Sequence, residues 1–396
     1  MSDKGPKIAV IPSWYPPAGG EFFREHSIAV ADQGAEVWVL AAIETGINDK
    51  AGLFLFGNKK KRESETIGIS EHSSIFRRIP LADRVNVKLW TRQVLSMYRE
   101  FCKSHGKPDL IQAHSSMWAG VAAARIKKAG GVPYILTEHR GRFTGSGAFR
   151  NLLRSWHIPL LKEAFEGADR VVTVSSSAQR RILEIAPASK PRLKVIPNMT
   201  DTSYFVPPET DLRNPECFTF VCVTSLEEIK GVDYLLKAFS VLKKMGKAAN
   251  AKLVITGGGP LHGNLRRLTE QLGLNDSVSF TGYLDKEGIL NELQRADSFV
   301  LPSLCEAFGI VLIEAMSCGL PVIATDSGGP AEIVNRENGV IVKAGSAEEL
   351  TGAMYRMLSE AGLYDRAKIS LQARQKYSRD IIAKQYMDLY KTILEG

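Results

Sequence analysis

Cysteine is scarce and scattered: Cys102, Cys217, Cys222, Cys305 and Cys318 are odd in number and form neither a C-x-x-C pair nor a Cys/His cluster at metal spacing. A disulfide scaffold and a structural zinc site are therefore excluded, and a reducing compartment is expected. Long apolar runs are missing too. None approaches the roughly 18 residues of a membrane span, and residues 1–5 carry no apolar signal core, so the expected location is the cytoplasm. No GK[ST] follows a glycine loop, which removes a P-loop. At 257–262 the last glycine of a dinucleotide fingerprint is replaced by His262. Asp-x-Asp pairs are absent throughout.

What is present is an ordinary globular composition, 44% hydrophobic and 24% charged with a mean hydropathy of −0.09, spread over 396 residues. That length favours two domains over one. Short β-branched or apolar runs alternate with helix-length amphipathic stretches, the pattern of parallel sheets covered on both faces. The first series of strands is expected at 7–12, 36–41, 110–114, 134–137, 170–174 and 193–197. A second follows at 218–223, 252–256, 277–282, 298–302, 321–325 and 339–342. Between them, residues 198–216 hold Pro207, Pro208 and Pro215 and no apolar periodicity, which marks a linker. The expected domains are 1–203 and 204–375, with a C-terminal helix over 376–396 packing back onto the first. Two doubly wound domains imply a cleft at the carboxyl ends of their strands, so the chemistry is to be sought in strand-to-helix loops.

The net charge of +8 is uneven. Residues 1–200 hold 30 Lys and Arg against 18 acidic residues, and the remainder holds 21 against 25. Two basic stretches stand out, 76–103 and 148–165. The second mixes Leu152, Trp156 and Leu160 with Arg150, Arg154 and Lys162. It reads either as a helix lying on an anionic membrane surface or as one packed inward by its apolar face, and Pro159 argues for a break within it. No nucleic-acid recognition motif accompanies the charge, and nucleic acid is not an expected partner.

The richest segment is PSLCEAFGIVLIEAMSCGLPVIATDSGGPAEIV, residues 302–334. A strand ends at Pro302, a loop carries Glu306, and a helix is expected from near Phe308 through Glu314 to about Cys318, where Gly319 and Pro321 stop it. The amides of Phe308, Gly309 and Ile310 would then sit at a helix N-terminus, an anion site suited to a diphosphate. Eight residues separate the two glutamates, at most roughly 12 Å at helical rise.

This E-x7-E pair, the Gly319–Val322 segment and the Gly328–Val334 turn resemble the retaining, GT-B fold glycosyltransferases of the large nucleotide-sugar family, family 4 or group 1. The likeness extends to PSWYPPAGGEFFREH, TEH at 137–139, IPNMTD, KGVDYLLKAF at 230–239 and GGGP at 257–260. It implies an α/β fold of two Rossmann-like parallel-sheet domains, an acceptor-binding N-terminal one and a donor-binding C-terminal one. By resemblance Glu306 holds the donor sugar, Glu314 the ribose, Lys230 the leaving diphosphate, and His139 the sugar near its reacting carbon. Gly19 and Gly20 let the backbone approach the phosphates, Gly257 and Gly258 lie near the base, and His114 is an acceptor-side candidate.

One position departs from the family pattern. The arginine usual five residues before the lysine is Ser225, and Lys286 is one candidate replacement. The implied activity is retaining transfer from a UDP- or GDP-sugar to a saccharide or lipid-linked acceptor in polysaccharide or glycolipid synthesis. Same-face attack is implied, with no metal and no cofactor. A non-catalytic sugar-nucleotide-binding subunit, favoured by Ser225 alone, and a GT-B epimerase are the alternatives. A phosphorylase would need a pyridoxal-phosphate lysine, for which no motif is present.

Overall fold

Strand cores such as Ile8–Ile11 and Phe299–Leu301 are apolar at every position and almost wholly buried, so both of their faces must be covered by helices. The computed structural model, which describes residues 5–16, 19–45, 60–66, 68–143 and 153–396, meets that demand twice.

In the first unit the strands are β1 (Lys7–Pro12), β2 (Glu36–Thr45), β3 (Lys60–Thr66), β4 (Ile69–Arg77), β5 (Leu110–His114), β6 (Tyr134–Glu138), β7 (Arg170–Thr173) and β8 (Leu193–Val195). Their order is β3-β4-β2-β1-β5-β6-β7-β8, parallel except for β3. The winding reverses between β1 and β5, which pair from Ile8↔Leu110 to Pro12↔His114. Around them lie α1 (Glu21–Asp32), α2 (Asp83–His105), α3 (Val121–Gly130), α4 (His157–Gly167) and α5 (Gln179–Ile185).

The second unit carries β9 (Thr219–Val223), β10 (Lys252–Thr256), β11 (Val278–Gly282), β12 (Ser298–Leu301), β13 (Val322–Asp326) and β14 (Gly339–Lys343), in the all-parallel order β11-β10-β9-β12-β13-β14. Its winding reverses between β9 and β12. The helices are α6 (Val232–Lys243), α7 (His262–Gln271), α8 (Lys286–Arg295), α9 (Ile310–Ser317), α10 (Pro330–Ile333), α11 (Ala347–Glu360) and α12 (Arg366–Tyr377). The core joins Leu235, Leu236, Phe239 and Leu242 of α6 to Phe220, Leu253 and Ile255 of the sheet and to Met354 and Met357 of α11. Side-chain oxygens cap three of the helices: Asp285 on α8, Ser346 on α11 and Asp365 on α12.

The last helix, α13 (Arg379–Glu395), belongs to the first unit. It buries Ile382, Tyr386, Met387 and Tyr390, pairs Arg379 with Glu25, and sets the Tyr390 hydroxyl 3.2 Å from Gln112 and that of Tyr386 3.2 Å from Thr137. Two divisions fall at Pro197/Asn198 and Ser378/Arg379, against the expected 203/204 and 375/376, and the described residues 141–143 also group with the second unit. The reason is local. Ile196 still bonds Thr173 of β7, whereas Thr200 bridges Ser378 and bonds the Tyr377 carbonyl of α12.

Two strands escape a reading of apolar pattern. β3, KKRESET, has no apolar residue, and its charges suit an edge. β4 buries Glu71, which is satisfied by the Tyr15 hydroxyl, Arg24 at 2.7 Å and Ser64 at 3.0 Å. The expected helix over 148–165 also changes. Residues 148–152 lie outside the described residues, α4 begins only at His157, and Pro159 falls in its first turn, where a missing N–H costs nothing. Its Leu161, Ala164 and Phe165 are buried inward. No described helix is long and apolar enough to cross a membrane.

Removing residues 379–396 uncovers large side chains worth roughly 1.5–3 kcal/mol each. We expect amides of β5 and β6 to exchange with solvent much faster while those of β9–β14 keep their protection. Equal loss in both sheets would contradict the assignment of α13.

Candidate functional site

In the second sheet the switch point lies between β9 and β12, and the loops that follow these two strands are laced together. Gly231 caps α6 with φ 62°, and a Cβ there would stand 2.4 Å from the Pro302 carbonyl oxygen, so only glycine lets the first loop press onto the end of β12. Leu304 donates to the Ile229 carbonyl at 2.8 Å. The result is an ion pair. Lys230 Nζ stands 2.7 Å from Glu306 Oε2, both side chains about one-fifth exposed. Ser303 Oγ adds a 3.3 Å contact to the same oxygen. The backbone of Glu306 is fixed independently, its N–H to Ser327 and its carbonyl to the N–H of Gly329.

Downstream of Glu306 the chain differs from expectation in one respect. The helix starts at Ile310, not near Phe308, because Gly309 is left-handed at φ 95° and stands outside it. Helical rise therefore does not apply between Glu306 and Gly309, and the 12 Å limit on the glutamate pair has no basis. The amides of Phe308, Gly309 and Ile310 still make no protein hydrogen bond among the described residues, two from the loop and one from the first helical position.

Glu314 sits half-buried on α9, and burial pushes its carboxyl up to about 7, with the charge of Lys286 pulling the other way. Lys286 itself is engaged. Its ammonium lies 2.9 Å from Asp201 and over the Tyr204 ring. Burial works to raise the Asp201 carboxyl, but the Ser203 hydroxyl and Lys286 hold it below its ordinary range. Lys286 is thus Asp201's partner first, and the place left by Ser225 has no free cation from that source.

Ser225 lies in the loop after β9, beside the glycine loop after β10. Leu226 donates to Gly258 at 3.0 Å, and a Cβ on Gly257 would fall 1.9 Å from the Thr224 carbonyl oxygen. Gly257 is thus required by the close approach of two loops, whatever binds nearby. Tyr283, unremarked in the sequence, bonds the Gly258 carbonyl and leaves its ring 79% exposed beside that loop.

The first unit gathers the other candidates after β1, β5 and β6. Gly19 and Gly20 both have positive φ, and Gly20 starts α1 wedged against Trp14 and Phe23. His114 Nδ1 and His139 Nε2 are 3.0 Å apart. Two partners of this pair were hidden in the sequence. Glu138, 1% exposed, accepts from the amides of Ser116, His139 and Arg140 and so fixes the turn that carries His139. His26 of α1 packs edge-on against His114 at 4.7 Å and Tyr386 at 4.4 Å. Burial pushes the His26 imidazole down to about 3 and that of His114 well below its ordinary value, so both stay neutral. No spacing rule joins residues 26, 114 and 139. Only the packing of α1 over the β5 end does.

Comparison with known proteins agrees with this architecture. The family model for glycosyl transferases group 1 matches residues 209–376, and that for glycosyltransferase family 4 matches residues 21–204. An uncharacterised glycosyltransferase of Methanocaldococcus jannaschii is 30% identical over 306 residues, 73% of this chain and 76% of its own length. A GDP-mannose-dependent phosphatidylinositol monomannoside mannosyltransferase of Mycobacterium tuberculosis is 31% identical over 279 residues, 63% and 68% of the two chains. Sucrose-phosphate synthase of Thermosynechococcus elongatus superposes with a TM-score of 0.81 at 21% identity over 98% of this chain and 99% of that one. Anabaena HepE in complex with UDP gives 0.73 at 18% over 98% and 100%. With both halves matched and both sheets shared, the chain belongs to the group 1, family 4 glycosyltransferases and has their GT-B fold.

Proposed function

We propose that this glycosyltransferase works with retention and without a metal, moving a sugar from a UDP- or GDP-linked donor to a hydroxyl of a saccharide or lipid-linked acceptor. The reaction would serve cell-surface polysaccharide or glycolipid synthesis in the cytoplasm. The observation that carries the reading is the Lys230–Glu306 contact at the β9/β12 switch point, beside three amides with no acceptor among the described residues. A diphosphate supplies those amides with acceptors and takes a share of the Lys230 ammonium, which has three N–H groups and spends one on Glu306. Glu306, so released in part, accepts from hydroxyls of the transferred sugar, and Glu314 from those of the ribose. Gly257 and Gly258 give the backbone room in the second unit, and His139, Gly19 and Gly20 are the candidates that the first unit contributes. As the bond from C1 to the β-phosphate oxygen breaks, charge grows on the phosphate, and Lys230 gains most at that moment. The acceptor oxygen bonds C1 on the same face and its proton passes to the departing phosphate oxygen.

Support comes from the relatives and fold neighbours. One relative carries GDP-mannose in its name and one fold neighbour is solved with UDP. On α2, Arg84, Lys88, Arg92, Arg99 and Lys103 are exposed on a single helix, which supports peripheral contact with an anionic membrane that presents the acceptor.

UDP or GDP should raise the melting temperature of the wild-type protein by mass action. Lys230→Met and Glu306→Gln should each abolish transfer and each lower the melting point, because each strands a half-buried charge or dipole. The double variant should lose less stability than the sum of the two. Transfer by either single variant at the parent rate refutes the assignment, and chelation of divalent ions should leave the rate unchanged.

Glu314 gives a prediction of opposite sign. Its carboxyl is raised from 4.5 in the unfolded chain to about 7 when folded, so the folded state holds the proton more tightly and stability falls as pH rises from about 5 to 7. Without nucleotide, Glu314→Gln should be more stable than the parent at pH 8, by about 1–3 kcal/mol, and equal to it near pH 5. The same variant should lose most of the nucleotide-induced shift. Melting curves at both pH values decide it, and a less stable variant at pH 8 defeats the argument.

A further inference from the structure

The first sheet has its own switch point, between β1 and β5, and a cavity of about 250 Å³ opens just beyond the carboxyl ends of these strands and of β2. Its walls are indoles: Trp14 after β1, Trp118 after β5, and Trp90 of α2. Each is held from behind. Trp90 is buried and donates its ring N–H to the Ala42 carbonyl at 2.9 Å. Trp118 stacks on Trp156 at 5.8 Å and 16°. Trp14 lies against Phe23 at 4.8 Å, with the Arg140 guanidinium 4.3 Å over its ring. The ring nitrogens of Trp14 and Trp118 make no hydrogen bond to the described residues, so rigid apolar faces come with two donors to spare.

Among the described residues the one acid in the lining is Glu44, near the end of β2. Its half-buried carboxylate has no hydrogen-bond partner among the described residues, and burial pushes it upward, opposed by Arg78 and assisted by Asp83. Arg78 does not answer it, being ion-paired to Asp83, which also takes Arg154 at 2.9 Å. The Arg140 guanidinium over Trp14 belongs to the same lining, so among the described residues the cavity carries one charge of each sign and offers an anion no net attraction, while a carboxylate set among indoles calls for O–H donors. The volume corresponds to about eight waters, room for one six-membered polyol ring and not for two.

We infer that this cavity is a subsite for a single uncharged, hydroxyl-bearing ring of the acceptor, its faces lying on Trp14 and Trp118 and its hydroxyls bonded to Glu44. The word acceptor rests on the function proposed above; the ring and its neutrality rest on the cavity alone. Glu44 is then the residue that determines specificity against phosphorylated or carboxylated rings.

Saturation-transfer NMR tests it with methyl hexopyranosides and myo-inositol, set against a hexose phosphate and a uronic acid of the same ring size. The neutral rings should take up saturation, and the anionic ones should bind about tenfold or more weakly, the worth of one charge-assisted hydrogen bond lost. Trp118→Ala should abolish the signal. Glu44→Gln should bring neutral and anionic rings within about threefold of each other, while Glu44→Asp, which keeps the charge, should keep the preference. Saturation of no neutral ring at tens of millimolar, tighter binding of the anionic rings, or an unchanged preference in Glu44→Gln overturns the inference. The UDP or GDP melting shift of each variant, expected at the parent value, reports that it is folded. Absence of that shift from the parent as well strikes the donor reading and leaves the cavity standing.

Discussion

The second unit is organised around one contact, the ammonium of Lys230 against the carboxylate of Glu306. These two residues are 76 apart in sequence and come from loops whose strands, β9 and β12, are neighbours in space. Bringing them together takes backbone approaches that side chains would forbid. Gly231 clears the Pro302 carbonyl, and Gly329 lies where a Cβ would meet the backbone of Ala307 and Phe308. A half-buried pair of this kind adds little net stability, since desolvation offsets the attraction, yet either member alone is costly. The pair therefore fixes the geometry of its two loops. On the function proposed above, a phosphate arriving there would find its counter-charge already oriented.

How much of this the sequence discloses depends on what each residue's partner is. Strands buried on both faces, such as β1, β5 and β10, are readable to the residue because their apolar runs have no other use. β3 and β4 are not, because one is a charged edge and the other buries an acid whose partners, Tyr15, Arg24 and Ser64, come partly from another element. α9 starts two residues later than its apolar run suggests, since the left-handed turn at Gly309 leaves no mark in that run. Lys230, Glu306 and Glu314 were legible only through their motif. Their chemistry as single residues is that of any surface helix or loop. His26 and Glu44 were not legible at all: each is one polar letter in an amphipathic helix or a strand, and its meaning is supplied by His114 or by three indoles distant in sequence.

The buried polar groups of the β1/β5 region show the same logic from the side of cost. Both ring nitrogens of His26, the Nε2 of His114 and the hydroxyl oxygen of Ser115 are buried with no hydrogen-bond partner among the described residues, whereas buried polar groups in folded proteins are ordinarily satisfied. Neutral imidazoles are the least expensive way to bear this, and burial favours the neutral form of both rings. Neutrality has a structural consequence. The 3.0 Å bond between His114 and His139 needs one ring to donate and the other to accept, so the tautomer of His139 is tied to that of a ring whose burial favours the neutral form.

Taken with the raised carboxyl of Glu314 and the unpartnered one of Glu44, these groups place avoidable costs at the carboxyl ends of both sheets. The core around α6 and α11 carries none of them. On the readings proposed above, the two carboxylates share a remedy, a ligand that brings them hydroxyls. A fold stabilised chiefly by its apolar layers can sustain such deficits where the strands end, because the energy that ordinary side chains would have spent satisfying one another is there left for substrate.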